Sequence, residues 1–280
     1  MTFQGTPFLW GVLSYKTVIE RSILMRLLFI GDVVGKAGCD FLEQHIHSIK
    51  SRYDIDVVVV NGENAANGNG ITRALMQRLY AMGADVITTG NHCFGQRDST
   101  AIYDESETLL RPANYPEGVT GHGFTVVDMG YCKIAVVNLQ GVVSMSQHLD
   151  NPFSCIDRIL PQLDTKNIFI DFHAEATSEK KAMGQYLAGK VTAVMGTHTH
   201  VQTADEAILS EHTAYITDVG MTGPELSVLG IESSIAIDKQ RFQYPVMFEV
   251  SGNPCFVNAV AVEFDERLGR AYKIERIIWR

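Results

Sequence analysis

Asp56-Val57-Val58-Val59-Val60-Asn61-Gly62-Glu63-Asn64 decides the fold class. An unbroken valine run is apolar on both faces of an extended chain, the pattern of a strand buried on both sides. It exits into Asn61 to Gly70, a stretch rich in Asn and Gly. Such residues tolerate unusual backbone angles and bind cations or phosphate, although the same composition suits a plain long turn. Thr72 to Met82 then reads as a helix with Thr72 as its cap. Asp85 to Thr89 is the next strand and ends in Gly90-Asn91-His92. Upstream, Leu27 to Ile30 reads as a first strand with Asp32 just past its end, followed by helical periodicity over Phe41 to Ile49. Strand, helix, strand, helix, strand is α/β winding. In such sheets functional groups gather beyond the carboxyl ends of the strands.

The second half repeats the theme less regularly. Phe124 to Asp128 and Lys133 to Asn138 read as paired strands around Met129-Gly130. Asn167 to Asp171 is a strand that exits into Phe172-His173-Ala174-Glu175, and Thr177 to Leu187 is helical. Val191 to Met195 is another buried strand, ended by Gly196 and followed by Thr197-His198-Thr199-His200. If that tail stays extended, His198 and His200 point to one side and form a ready pair of metal ligands. Taken alone, the pair reads more simply as surface histidines. Tyr215 to Thr217 and Tyr244 to Val250 are further strand candidates, and Phe256 to Glu263 with Ala271 to Ile278 reads as a closing pair. No linker or repeat divides residues 25–280, so a single domain is expected there.

The net charge of −9, from 23 basic and 32 acidic residues, argues against a broad non-specific nucleic-acid surface and leaves room for a local basic patch. The five scattered cysteines suggest reduced thiols in a cytoplasmic protein. Residues 1–24 read as an extension. Phe8 to Leu13 is too short to span a bilayer, and the stretch lacks the basic region of a signal peptide. Met25 opens the first strand as a natural start would. Gly35-Lys36-Ala37 lacks the spacing and hydroxyl of a phosphate loop. His45 and His47, two apart on a helix, face different ways, and His122, His148 and His212 stand without a partner motif.

Asp32, Glu63, Asn64, Asn91, His92, His173, His198 and His200 each follow an expected strand. Carboxylate, amide and imidazole together suit Mn²⁺ or Fe²⁺, with Zn²⁺ or Mg²⁺ as options. There are too many for one tetrahedral ion, and they fit two ions roughly 3.5–4 Å apart. Glu175 and Thr177 lie near His173 as candidate supporting groups, with helix capping an equal reading of Thr177. Thr222-Gly223-Pro224 reads as either a substrate rim or a turn. Cys93, beside His92, is not needed as a nucleophile in two-metal hydrolysis.

The order Asp32, Gly62-Glu63-Asn64, Gly90-Asn91-His92, His173 and Gly196-Thr197-His198-Thr199-His200 resembles the metallophosphoesterase (calcineurin-like) superfamily. No His stands two after Asp32, Glu63 replaces the usual Asp, and Cys93 follows His92 where an acid is usual. Those departures, with Asp171 to Lys180, Gly196 to Ala204 and Thr217 to Pro224, resemble its YmdB-like branch from Met25 to near the C-terminus. The resemblance implies a four-layer α/β/β/α sandwich of two mixed sheets flanked by helices. It implies a first ion on Asp32 and His200 with Asn64 assisting, a bridging Glu63, and a second ion on Asn91, His173 and His198. His92 would face the leaving group. The implied activity is phosphodiester hydrolysis of small cyclic nucleotides such as 2′,3′-cyclic AMP, by in-line attack of a metal-bridging hydroxide. A regulatory or RNA-associated protein, or an RNA nuclease, is the alternative. No membrane partner is expected, and homo-oligomerisation stays open.

Overall fold

The computed structural model describes residues 24–280. The expected N-terminal extension therefore lies outside the described residues, apart from Leu24, which already pairs with Asp265 in the first strand. In chain order the elements are β1 (Leu24–Ile30), β2 (Asp32–Val33), α1 (Gly35–Tyr53), β3 (Val57–Asn61), α2 (Arg73–Ala81), β4 (Val86–Thr88) and α3 (Ser99–Glu105). They continue with β5 (Phe124–Asp128), β6 (Lys133–Gln140), α4 (Pro152–Ile159), β7 (Asn167–His173), α5 (Thr177–Leu187), β8 (Ala193–Thr197), β9 (Ala207–Leu209) and β10 (Thr213–Ile216). The chain closes with β11 (Met221–Pro224), α6 (Ser233–Phe242), β12 (Cys255–Asp265) and β13 (Arg270–Trp279).

Two mixed sheets result. The first runs β2-β11-β12-β1-β3-β4, with β13 added to β12. The second runs β5-β6-β7-β8-β10-β9. The valine run shows why they stack. Val58 and Val60, with Leu28 and Ile30, pack against Leu42, Ile46 and Ile49 of α1 and Met76 and Leu79 of α2. Val57 and Val59, with Leu27 and Phe29, pack against Ile134, Val136, Phe169 and Met195 of the other sheet. The far face of that sheet, including Val137 and Ile170, is covered by Ile156 and Ile159 of α4 and Met183 and Leu187 of α5. Alternation along one strand thus fills two separate cores, and each buried valine contributes about 1.5–3 kcal/mol. The layers are α/β/β/α, as the resemblance implied. Among the described residues no helix is long and apolar enough to cross a membrane.

The parallel order β1-β3-β4 and β6-β7-β8-β10 sends the carboxyl ends of several strands in each sheet to one place. The Thr72 cap is as expected, its Oγ1 accepting from the Leu75 N–H at 3.4 Å.

Five local expectations are corrected. Gly196 lies inside β8, which runs on to Thr197; a Cβ there would fall 1.8 Å from the Thr217 carbonyl oxygen, so glycine permits a close crossing. The residues after it are not extended, because His198 and His200 have φ of 99° and 65°. Tyr244 to Val250 forms no strand beyond a single bridge from Ile231 to Val250. Thr222 to Pro224 is neither rim nor turn but part of the buried strand β11. Thr177 does not cap α5, which starts at Thr177 with Ala176 in the cap position and no side-chain cap.

Gly196→Ala should lower unfolding free energy by about 3 kcal/mol, because a carbonyl blocks the new methyl and the backbone must shift. Gly68→Ala, at φ 81° with nothing within 4 Å of the new Cβ, should cost about 1–2 kcal/mol from left-handed strain alone. Denaturant unfolding of both variants checks the order, and equal losses would contradict the close-crossing role.

Candidate metal centre

The strand ends of the two sheets meet. The first sheet brings Asp32 on β2, Glu63 and Asn64 after β3, and Asn91 and His92 after β4. The second brings His173 at the end of β7, and His198 and His200 after β8. Asp32, Glu63 and His173 are fully buried. The His173 ring fits because residue 90 is glycine: a Cβ there would lie 2.1 Å from its Cδ2.

His173 Nε2 is the focus. It lies 2.9 Å from Asn91 Oδ1, 3.1 Å from His198 Nδ1 and 3.2 Å from Glu63 Oε1. Glu63, His173 and His198 offer ligand atoms that all lie within 4.8 Å of one another. Asp32 joins from the side, with Oδ1 3.8 Å from His173 Nδ1 and Oδ2 accepting from the His198 backbone N–H at 3.2 Å. His200 Nε2 lies 3.0 Å from Asn64 Nδ2. Asp32, Glu63, Asn91, His173 and His198 therefore form one cluster, and the Asn64–His200 pair lines the same cavity as Glu63 and His198. His92 stands apart from it: its backbone N–H donates to Glu63 Oε2 at 3.1 Å, and the residue lines the adjoining cavity.

The outer nitrogens of the three histidines decide the chemistry. His198 Nε2 faces the Glu175 carboxylate at 3.2 Å, so Glu175 supports His198 and not His173 as expected. His200 Nδ1–H donates to the Leu229 carbonyl at 3.0 Å. His173 Nδ1 is 2.9 Å from Thr197 Oγ1, which donates to Asp171 Oδ1 at 2.7 Å. With Asp171 ionised, that hydroxyl accepts from Nδ1–H and leaves the Nε2 lone pair turned inward. An acceptor behind one nitrogen and a free lone pair on the other is how metal-binding imidazoles are oriented.

Burial shifts the charge state of these groups. Burial pushes the Glu63 and Asp171 carboxyls up to about 7 and raises that of Asp32. Burial also lowers His173 to about 4 and His198 to about 3, so both are neutral donors at physiological pH. Asp32 Oδ1 and Glu63 Oε1 are buried without a hydrogen-bond partner; Glu63 Oε1 is near His173 Nε2 but not aligned with an N–H. Orphaned carboxylate oxygens are costly in a dry site. A cation between them and the lone pairs satisfies all of them at once, so the residues fit divalent metal.

The centre opens into a cavity of about 490 Å³. Larger cavities, near Arg111 and near Tyr131, contain none of the expected ligands. Cys93 is excluded as a nucleophile: burial pushes its thiol up to about 12, and Sγ donates to Tyr115 Oη at 3.3 Å. His45 packs on Phe41. His47, His122 and His148 are exposed and His212 is half-buried, and none of them joins the cluster.

Residues 28–277 match the family described as YmdB-like protein. The chain belongs to that family. It is 45% identical over 256 residues to the 2′,3′-cyclic-nucleotide 2′-phosphodiesterase of Bacillus subtilis, covering 91% of this chain and 97% of the relative. A phosphatase structure from Mycoplasma pneumoniae matches with a TM-score of 0.87 at 34% identity, covering 92% of this chain and 94% of that one. The NAD nucleotidase of Haemophilus influenzae shares the fold alone, with a TM-score of 0.55 at 15% identity over 91% of this chain and 50% of its own.

The family motifs around the ligands contain groups that sequence reasoning assigned no role. Asp171 is one, held by Asn61 Nδ2 at 2.9 Å and by Thr197. Lys180 and Asp218 are the others, a buried pair with Nζ 2.7 Å from Oδ2. Asp218 Oδ2 also accepts from the Thr199 N–H at 3.0 Å and the Thr199 hydroxyl at 2.7 Å, which pins the turn between His198 and His200. Both lie inside the quoted runs Asp171 to Lys180 and Thr217 to Pro224, but a sequence gives no sign that Lys180 and Asp218 meet.

Manganese binding should show the Glu63 proton. Below about pH 7 burial keeps the Glu63 carboxyl protonated in the metal-free protein, and an ion needs it ionised. Affinity should therefore rise up to about tenfold per pH unit from 5.5 to 7 and flatten above. Calorimetry in buffers of different ionisation enthalpy should find proton release at pH 6 that fades by pH 8. Glu63→Gln should reduce the release and weaken binding. A flat profile in the native protein would remove Glu63 from the ligand set.

Proposed function

We propose that this chain is a binuclear metal-dependent phosphodiesterase of the cytoplasm that hydrolyses small cyclic nucleotides such as 2′,3′-cyclic AMP. The observation that carries it is the convergence of inward-facing histidine lone pairs on the orphaned oxygens of Asp32 and Glu63. The name of the Bacillus subtilis relative supports the substrate class, and the five free thiols support a reducing compartment.

Asp32, Asn64 and His200 would hold one ion, Asn91, His173 and His198 the other, with Glu63 between them. Manganese or iron suits this mixed oxygen and nitrogen set. When bound, the two ions supply an acidified water and neutralise charge on the phosphoryl oxygens. Glu175, Thr197 and the Leu229 carbonyl hold the three imidazoles in register, so the ligand geometry is set before substrate arrives. His92 fits the general acid. It lines the cavity beside the ligands, and its backbone is tied to Glu63 Oε2 while its ring is left for the substrate. The imidazole then delivers a proton to the departing ribose oxygen.

His92→Ala should keep both ions and the fold, yet lose ~10²–10⁴-fold in turnover of 2′,3′-cyclic AMP. A p-nitrophenyl diester, whose leaving group needs little protonation, should be spared in part. His198→Ala should lose metal and both activities together. Metal content and the two rates, measured side by side, test the assignment. Metal loss in His92→Ala, or equal slowing of both substrates, would count against the acid role.

A further inference from the structure

The cavity at the metal centre has two chemically different ends. Glu63, Asn64, His92, His198 and His200 form one; Val34, Val228, Leu229, Ile231, Ala236 and Phe248 form an apolar one that no ligand role explains. Apart from Val34, the apolar end comes from a part of the chain beyond the metal motifs. Val228 and Ile231 exchange backbone hydrogen bonds of 3.0 Å in both directions, closing a two-residue turn. At its tip Leu229 and Gly230 have φ of 55° and 92°. Such a turn places an Asn or Gly at its first position without strain, whereas Leu there costs free energy. A strained apolar residue at the mouth of a site is a mark of function. Leu229 is also the residue whose carbonyl orients His200. Its side chain is 47% exposed and that of Phe248 is 49% exposed, so both offer apolar surface to the cavity. The Lys239 ammonium sits 4.5 Å from the Phe248 ring centroid, a cation–π contact that holds the ring in place.

We propose that this apolar end, built on Phe248 and the left-handed tip residue Leu229, is the nucleobase subsite, taking the base by its face and not by its edge. The inference rests on the phosphodiesterase reading above. A nucleotide bound through its phosphate at the metal end carries one flat group with apolar faces, its base, and the adjoining surface is aliphatic with one aromatic ring, that of Phe248. Edge recognition needs fixed donors and acceptors. The polar side chains at this end, Lys239 and Gln240, are both exposed on α6, and among the described residues no hydrogen bond fixes either side chain. The enzyme therefore prefers a diester bearing a base over one without, favours purines by contact area, and discriminates weakly between adenine and guanine.

The test compares 2′,3′-cyclic AMP, 2′,3′-cyclic GMP and the 2′,3′-cyclic phosphate of 1-O-methylribose, which has no base, on the manganese-loaded enzyme. The native protein should favour cyclic AMP over the base-free diester by about tenfold in kcat/KM, the size of one base–aromatic contact. The two purines should agree within about threefold. Phe248→Ala and Leu229→Gly should each collapse the first ratio, mainly through KM, while Phe248→Tyr restores it. Calorimetric binding of 3′-AMP should weaken about tenfold in Phe248→Ala at unchanged metal content. A native enzyme that cleaves both diesters equally well, or variants that leave the ratio and 3′-AMP binding intact, overturn the subsite while the phosphodiesterase reading stands. A loaded enzyme that cleaves none of the three overturns both.

Discussion

The buried pair of Lys180 and Asp218 fixes the turn on which the candidate metal centre depends. An ion pair taken out of water loses hydration that its own attraction repays only when every remaining polar atom is also satisfied. Here Asp218 is satisfied completely: Oδ2 takes the Lys180 ammonium and both donors of Thr199, and Oδ1 takes the Gly220 N–H at 2.8 Å. The return is local geometry. His198 and His200 sit in backbone conformations that cost about 1–3 kcal/mol each, and they stay there because the residue between them is gripped from two directions. A free strand end would relax into the extended form, in which both rings face one side. Instead one ring reaches His173 and the other reaches Asn64.

That arrangement explains why the ligands come from two sheets. A single strand end presents one or two side chains in a fixed direction. Two stacked sheets with parallel strands ending at the same edge present several, from opposite walls. The core between the sheets, with Val57 and Val59 against Phe169 and Met195, sets the spacing of those walls. The site then carries the opposite balance from the core beneath it: buried acceptors and lone pairs with too few protons among them. The perturbed protonation of Glu63 and the neutral state of His173 and His198 are one fact seen from two sides, a pocket that disfavours every charge except a cation in its centre.

Much of this was legible in the sequence. The valine run, being apolar at successive positions, could be read as buried on both faces without knowing what covered either. Asp32, Glu63, Asn91, His173 and His198 could be found because each follows such a run, and strand ends are where α/β sheets keep their chemistry. The conformation of the Thr197 to His200 stretch could not be read. Its left-handed residues are enforced by Asp218, which lies far along the chain, and period-two reasoning assumes a regularity that tertiary contacts override. Gly196 misled for a related reason: glycine served a close approach to Thr217, not the end of a strand. Tyr244 to Val250 has strand composition, but among the described residues it pairs only through the Ile231–Val250 bridge, and Phe248 lines the cavity instead; composition alone does not separate the two.

The two ends of the cavity are encoded separately, and this has a consequence for how such a site varies. The metal end is bound into both sheets through strand ends, the His173–Thr197–Asp171 relay and the Lys180–Asp218 pair, so a change at one ligand disturbs several others. The apolar end hangs on one turn, Val228 to Ile231, and on α6 with the segment after it, where Ile237, Phe242, Tyr244 and Met247 are also exposed. Substitutions there meet solvent more than core and cost little stability. The Leu229 carbonyl on His200 Nδ1 joins the halves. It is a backbone group, so it survives a change of side chain at residue 229. On the proposed reading, selectivity for the organic part of a diester is thereby free to drift on one wall while the groups that position the candidate metal ligands stay fixed on the other.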